Sequence, residues 1–288
     1  MSSPSFQNLR VLALESRRQV EIASIITAYG GRPLSAPAMR EVPLDSNTEA
    51  FAFVAALVRG EFDVFVSLTG VGLRAVLDIA AQSVGRDAFV AALTRVRVVA
   101  RGPKPLAVLR EIGIVPWVLA PEPNTWRDLL AAVDVMGSAS LEGARLAVQE
   151  YGTTSPSLLE GLRVRGAIVT RVPVYRYALP EDLVPLQAAA GAVSRGEVDV
   201  VLFTTATQVT HLLQVGDDLK IGAELRRELP RLVVGSIGPT TSEELREQGV
   251  EVDIEASHPK MGVLVRDAAE RSPALLLAKR EARNADIR

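Results

Sequence analysis

DVFVSLTGVGLRAVL (63–77) and DVVLFTTATQVTHLL (199–213) decide the fold. Each opens on Asp, runs through a solid apolar strand, turns at threonine, and continues as an amphipathic helix. They begin 136 positions apart. The same offset pairs Gly102-Pro103 with Gly238-Pro239, Leu109-Arg110-Glu111 with Leu245-Arg246-Glu247, Gly113 with Gly249, and Pro123 with Pro259. One unchanged offset held across about sixty residues predicts two lobes of the same fold.

Outward from these segments the same rhythm continues. Further strand-like runs are RVLAL (10–14), VRVVA (96–100), PWVLA (116–120), RLAVQE (145–150), RLVVGS (231–236) and VDIEA (252–256). Amphipathic stretches separate them, so the pattern predicts α/β lobes whose parallel sheets are covered by helices on both faces. Gly30, Gly113, Gly166 and Gly249 stand where helix C-termini need them. Two proline-punctuated stretches, 32–44 and 167–180, break the rhythm and read as linker strands that would pair between the lobes. The tail after Ser272 is expected to be a frayed helix.

Composition narrows the function. The chain has 288 residues, 48% apolar and 23% charged, with 32 basic and 34 acidic side chains. That balance builds a core and shows no basic stripe for nucleic acid. With no cysteine there is no disulfide, thiolate metal site or thiol nucleophile, and two histidines do not make a multi-histidine metal site. The N-terminal residues lack a secretory pattern, and no apolar run approaches the ~20 residues that span a bilayer. The expectation is a cytoplasmic protein that binds a small molecule, with no cofactor, no metal, no nucleic acid and no membrane.

Open parallel α/β sheets bind ligands beyond the carboxyl ends of their strands. Here those loops are rich in Gly, Ser, Thr and Pro, and most open a helix, a setting that suits anions. The candidate contacts are Ser16 and Arg17; Thr69 and Gly70; Arg101, Gly102 and Lys104; Tyr151 and Gly152; Thr204, Thr205 and Ala206; Gly238, Thr240 and Thr241; and Lys260. The competing reading of each hydroxyl is a simple helix cap. GVGLRA (70–75) also fits the dinucleotide fingerprint, but its repeat at 206–211 has no glycine and the next strand ends without an acidic residue for a ribose. His211 reads as a partly buried structural residue within a helix, and His258 as a cap or an anion contact. Tyr175, in VPVYRY between Arg171 and Arg176, is either a packing aromatic of the ladder or a phenol held at the lobe junction.

These features resemble the uroporphyrinogen-III synthase family over nearly the whole chain, from about Arg10 to Asp267. The likeness is carried by DVVLFTTATQV, by SIGPTTSEELREQGVEVD (236–253), by the PVYRY ladder and by DVFVSLTGVGLRAVL. Some loops depart from the family pattern. ESRR (15–18) stands where Thr-Arg-Pro is common, LTGVG (68–72) replaces Thr-Ser-x-x-Gly, and YGTTSPSLLEG (151–161) lacks an Arg after its Gly. The resemblance implies two flavodoxin-like lobes joined by a two-stranded ladder. Lobe one would comprise 1–31 plus 181–288, lobe two 45–166, and the linker strands 32–44 and 167–180. It also implies a monomeric lyase that cyclises hydroxymethylbilane, a linear tetrapyrrole with eight carboxylates, inverting ring D and losing water. Tyr175 would assist departure of the hydroxyl. A catalytically silent ligand-binding paralogue on the same frame is the alternative, and a nicotinamide oxidoreductase a distant third.

Overall fold

A computed structural model describes residues 3–44, 47–137, 141–150, 152 and 154–286. Contacts divide the chain into two compact units, one of Met1–Arg40 with Ala178–Arg288 and the other Glu41–Tyr177.

The discontinuous unit holds a five-stranded sheet. Its strands are β1 (Arg10–Ala13), β2 (Arg32–Ser35), β10 (Val200–Phe203), β11 (Val233–Ser236) and β12 (Ile254–Glu255), in the order β12-β11-β10-β1-β2. All pairings are parallel. Read in this unit's own chain order the arrangement is 2-1-3-4-5, the flavodoxin order. Its helices are α1 (Gln19–Ala28), α8 (Val184–Ser194), α9 (Ala206–Asp218), α10 (Gly222–Glu228), α11 (Pro239–Glu247) and α12 (Met261–Asp286).

The contiguous unit holds β4 (Val64–Ser67), β5 (Arg97–Ala100), β6 (Val118–Leu119), β7 (Arg145–Gln149) and β8 (Ile168–Val172), in the order β6-β5-β4-β7-β8 and again all parallel. Its helices are α2 (Thr48–Val58), α3 (Gly70–Ser83), α4 (Arg86–Leu93), α5 (Pro103–Glu111), α6 (Trp126–Val135) and α7 (Pro156–Val164). β3 (Arg40–Pro43) and β9 (Tyr175–Ala178) pair as a separate two-stranded antiparallel sheet. The two five-stranded sheets have the same spatial plan, with the first two strands of one chain order moved to the end of the other. The fold is therefore the expected pair of flavodoxin-like α/β units with a two-stranded ladder.

Apolar strands explain why each sheet is covered on both faces. Val64, Val66, Val99, Leu146 and Val148 pack on one side of the contiguous unit's sheet, and Phe65, Val98 and Ala147 on the other, all nearly inaccessible. In the other unit Val11, Val200, Leu202 and Val233 face one way and Leu12, Val201, Phe203 and Val234 the other. The repeat also fixes helix ends: Gly113 and Gly249 follow α5 and α11 at φ 73° and 74°, the left-handed conformation in which a Cβ is costly.

The tail corrects one expectation. α12 runs on through Pro273 and is docked, not frayed. Lys279 Nζ donates to the carbonyls of Pro230 and Leu232 and to Asp253, and Arg280 reaches Asp199 at 3.0 Å. These groups lie at the amino ends of the strands, out of reach of any sequence periodicity.

Each unit closes with the same clamp. Arg145, starting β7, donates its backbone N–H and its guanidinium to Asp63 and also reaches the Gly60 carbonyl. Arg10, starting β1, does the same to Asp199 and Gly196. Burial pushes the Asp199 carboxyl up, but the Arg10 hydrogen bonds outweigh it and hold the group below the ordinary carboxylate range. Hydrogen bonding from Arg145 lowers Asp63 likewise. A carboxylate depressed on folding contributes stability above its unfolded pKa of about 3.9, and that contribution is lost as pH falls through the folded value. Asp199 is 8% exposed at its side chain and Asp63 41%. Asp199→Asn should cost about 2 kcal/mol in urea unfolding at pH 7, Asp63→Asn no more than about 1 kcal/mol, and the first should flatten the acid limb below about pH 4. Equal losses would show that burial does not set the strength of the clamp.

Candidate functional site

Both sheets have a topological switch point, between β1 and β10 in one and between β4 and β7 in the other, and the strand-end loops there are cross-linked by side chains.

In the contiguous unit, Thr69 is the N-cap of α3, and its Oγ1 accepts the Gly72 N–H at 3.0 Å. The same Oγ1 lies 3.4 Å from the Tyr175 hydroxyl. Tyr175 is buried, its ring edge-on to Tyr177 at 5.7 Å between centroids. Tyr177 in turn covers Gly152, which has φ +59° and whose added Cβ would lie 2.1 Å from that ring. Gly152 also bridges to Arg176 of β9. The β7 loop and the ladder strand are thus one assembly on the carboxyl rim. Tyr151 lies outside the described residues.

The glycines of GVGLRA are explained by packing. A Cβ at Gly70 would meet the Lys104 carbonyl oxygen at 2.7 Å, and one at Gly72 the Gln149 amide nitrogen at 1.9 Å. The Gln149 side-chain oxygen accepts from Ser67 Oγ and the Thr69 N–H at 3.4 and 3.3 Å. Gln149 therefore occupies the space beside Gly72 where a fingerprint loop would admit a pyrophosphate. Beyond β5, the Arg101 N–H extends the ladder to the Ser67 carbonyl. The Asn124 amide, 2.7 Å from a Cβ built at Gly102, turns its nitrogen toward the carbonyls of Arg101 and Ala120. Lys104 projects into solvent from the first turn of α5.

In the other unit the β1 and β10 loops are joined by Glu15. Its carboxylate accepts the backbone N–H groups of Arg17 and Arg18 at 3.1 and 3.3 Å and the Thr204 hydroxyl at 2.6 Å. Gln208 accepts the Thr204 N–H and donates to the Leu14 carbonyl and to Thr204 Oγ1. Ser16 Oγ accepts from the Met39 N–H. The amides at the start of α1 thus already hold a carboxylate of the chain, and the exposed Arg17 side chain is the outward group of this loop. Thr205 stands at the N-cap of α9 without capping by its side chain, and Ala206 follows half-buried.

At β11, Gly238 is extended, and its carbonyl accepts the N–H groups of Thr241 and Ser242. A Cβ there would make only ordinary contact with Pro259, 3.6 Å away, so this glycine is not demanded by its backbone. Thr241 is buried, whereas Thr240 is exposed on the first turn of α11. Lys260 is exposed and immediately precedes α12, its N–H on the His258 carbonyl. His211 is buried, with Nδ1 2.7 Å from the Ala38 carbonyl, a structural role as its helix position suggested.

Sequence reasoning missed Glu15, Gln149, Glu150 and Gln208. Glu150 is nearly inaccessible and grips Arg171 at 2.9 Å, and the same guanidinium, half exposed, also reaches Thr154. A signal did exist: RVLALE (10–15) and RLAVQE (145–150) are a second repeat, Arg first and Glu last, across the same two strands.

The family model described as "Uroporphyrinogen-III synthase HemD" matches residues 20–266. The chain belongs to this family. It is 28% identical to Bacillus subtilis "Uncharacterized protein YjjA" over 91% of this chain and 95% of that one. Among solved structures it resembles a mutant uroporphyrinogen III synthase of Thermus thermophilus, with 28% identity, TM-score 0.71, and 94% and 99% of the two chains covered. The wild-type Thermus enzyme in a second crystal form gives 30% identity and TM-score 0.57, covering 93% of this chain and 99% of that one.

The packing account of GVGLRA has a direct test. Gly72→Ala should lower unfolding free energy by about 1–3 kcal/mol, the usual cost of forcing an atom into a filled space, and Gln149→Ala in the same chain should recover part of it. A Gly72→Ala protein as stable as the parent, with or without Gln149, would contradict the packing role.

Proposed function

We propose that this chain is a uroporphyrinogen-III synthase, cyclising hydroxymethylbilane with inversion of ring D and loss of water. The observation that carries this reading is Tyr175. It is a phenol held by Thr69 at the carboxyl rim of one sheet's switch point, in a chain of this family.

The chemistry asks little of the protein beyond positioning and a proton. The leaving hydroxyl departs with its C–O electron pair while a pyrrole nitrogen forms the C=N bond of an azafulvene. Tyr175 donates the proton that makes the departing group water. A spiro intermediate then forms and rearranges, and the proton released when the last ring regains aromaticity restores the phenol. Positioned acid assistance of this kind gives up to about 10²-fold for a neutral phenol, and holding the chain in its folded shape supplies the rest.

Eight carboxylates need donors that reach outward from the rims. Thr205 and Thr240, each with its hydroxyl at a helix start, and the exposed side chains of Lys104, Arg17 and Lys260 fit that need. Ser16, Thr69, Gly70, Arg101, Gly102, Gly152, Thr204, Ala206, Gly238 and Thr241 shape the rims from which those groups project. Glu15 fixes the β1 turn by holding its amides, so a substrate carboxylate meets Arg17 there and not the backbone.

The test supplies hydroxymethylbilane generated in situ and separates the type III and type I porphyrin isomers after oxidation. The wild-type protein should yield type III in excess over the spontaneous type I product. Type I alone would leave a silent binding module. Tyr175→Phe should lower turnover by about 10–10²-fold at unchanged melting temperature, and Tyr177→Phe should keep turnover within about twofold, its ring still covering Gly152.

A further inference from the structure

We infer that Thr69 is a positioning residue for the reaction, turning the Tyr175 proton away from the protein and toward the ligand. This rests on Tyr175 being the group that assists loss of the hydroxyl, and the experiment below separates the two ideas.

A threonine hydroxyl has one proton to donate and two lone pairs to accept with. The Thr69 side chain is fixed by its place at the start of α3, where φ is −143° and ψ 149° and Oγ1 accepts the Gly72 N–H at 3.0 Å. That bond uses a lone pair and leaves the Thr69 proton to be placed. The Tyr175 oxygen, 3.4 Å from Oγ1, is the side-chain oxygen paired with it among the described residues. When Thr69 donates to the Tyr175 oxygen, the phenol keeps its own proton for another acceptor. The distance is at the long end for an O–H···O bond.

The same bond helps after the proton has moved. The phenol proton goes to the departing hydroxyl, which leaves as water, and negative charge develops on the tyrosine oxygen. Thr69 then donates to an anion instead of a neutral oxygen, a stronger hydrogen bond. The amino end of α3 adds a favourable dipole at the same place. The interaction strengthens between ground and transition state, which is the condition for raising kcat without changing KM.

The other unit supplies an internal control. Thr205 occupies the repeat position of Thr69, 136 residues on, yet its side chain makes no cap bond. The ladder strand there opens on Arg40, which pairs with Glu181 and the Leu179 carbonyl. The Thr–Tyr contact is therefore not imposed by the fold. It occurs where β9 places a phenol over a capping threonine.

The test is a mutant cycle in the full-length protein. Thr69→Ser keeps both the cap and the hydroxyl proton and should retain kcat within about twofold. Thr69→Gly is nearly as good a helix cap but has no hydroxyl. It should lose about tenfold in kcat, with KM and melting temperature little changed, the loss expected for one hydrogen bond in the transition state. In the Tyr175→Phe background, Thr69→Gly should cost nothing further, because the group it aims is gone. Additive losses in the double mutant, or full turnover in Thr69→Gly alone, would overturn the positioning role while leaving Tyr175 in place. Full turnover in Tyr175→Phe would instead remove the reading on which this one rests.

Discussion

The ion pair of Arg10 with Asp199 is the constraint on which the discontinuous unit depends. β1 lies inside that sheet, between β2 and β10, although 186 residues separate Arg10 from Gly196, which it also holds. Bringing so distant a segment into a sheet costs loop-closure entropy, and the return is a whole row of parallel hydrogen bonds plus burial of Val11, Leu12 and Ala13. The clamp sets the register. The guanidinium reaches the Asp199 carboxylate and the Gly196 carbonyl from a residue whose own N–H is bound by the same carboxylate. A slip of one residue would break all of these at once and turn the apolar side chains of β1 to the wrong faces. Register in turn places Glu15, Ser16 and Arg17 at the rim beside Thr204.

The contiguous unit uses the same device in a simpler setting, and the comparison shows what the device is worth. Arg145 and Asp63 repeat the bonds almost distance for distance, but the carboxylate is more exposed. Arg280 from the docked tail adds a second cation to Asp199. The more buried clamp sits where strand insertion is topologically harder.

Much of the architecture was legible because it is written in local patterns. Solid apolar strands, Gly113 and Gly249, and the offset shared by the two Asp-led segments all report on short-range structure or on copying. The proline-punctuated stretches 32–44 and 167–180 hold more than the ladder: Arg32–Ser35 and Ile168–Val172 pair into the five-stranded sheets, and only Arg40–Pro43 and Tyr175–Ala178 make the two-stranded ladder. The site was less legible, for a physical reason. A loop threonine looks the same whether it caps its own helix, as Thr69 does, or leaves its side chain out of the cap, as Thr205 does. Thr69 also meets the Tyr175 hydroxyl, 106 positions away, a contact that no local pattern announces. Gln149, Glu15 and Asn124 each fill space or meet amides in a neighbouring loop, and such roles emerge only once strands are paired. The glycines of GVGLRA illustrate the trap: their spacing suits a nucleotide, whereas their neighbours are Lys104 and Gln149. Tyr175 shows the opposite case, an aromatic of a β-rich segment whose hydroxyl meets Thr69.

The insertion of the N-terminal segment can be measured directly by fragment complementation. Fragments 1–44 and 178–288 would be prepared separately and mixed, and unfolding followed by circular dichroism in urea. If β1 completes the sheet, 178–288 alone shows no cooperative transition and adding 1–44 restores one, saturably and with about tenfold or more weaker affinity when Arg10 is replaced. A cooperative transition of 178–288 that is unchanged by 1–44 would contradict it.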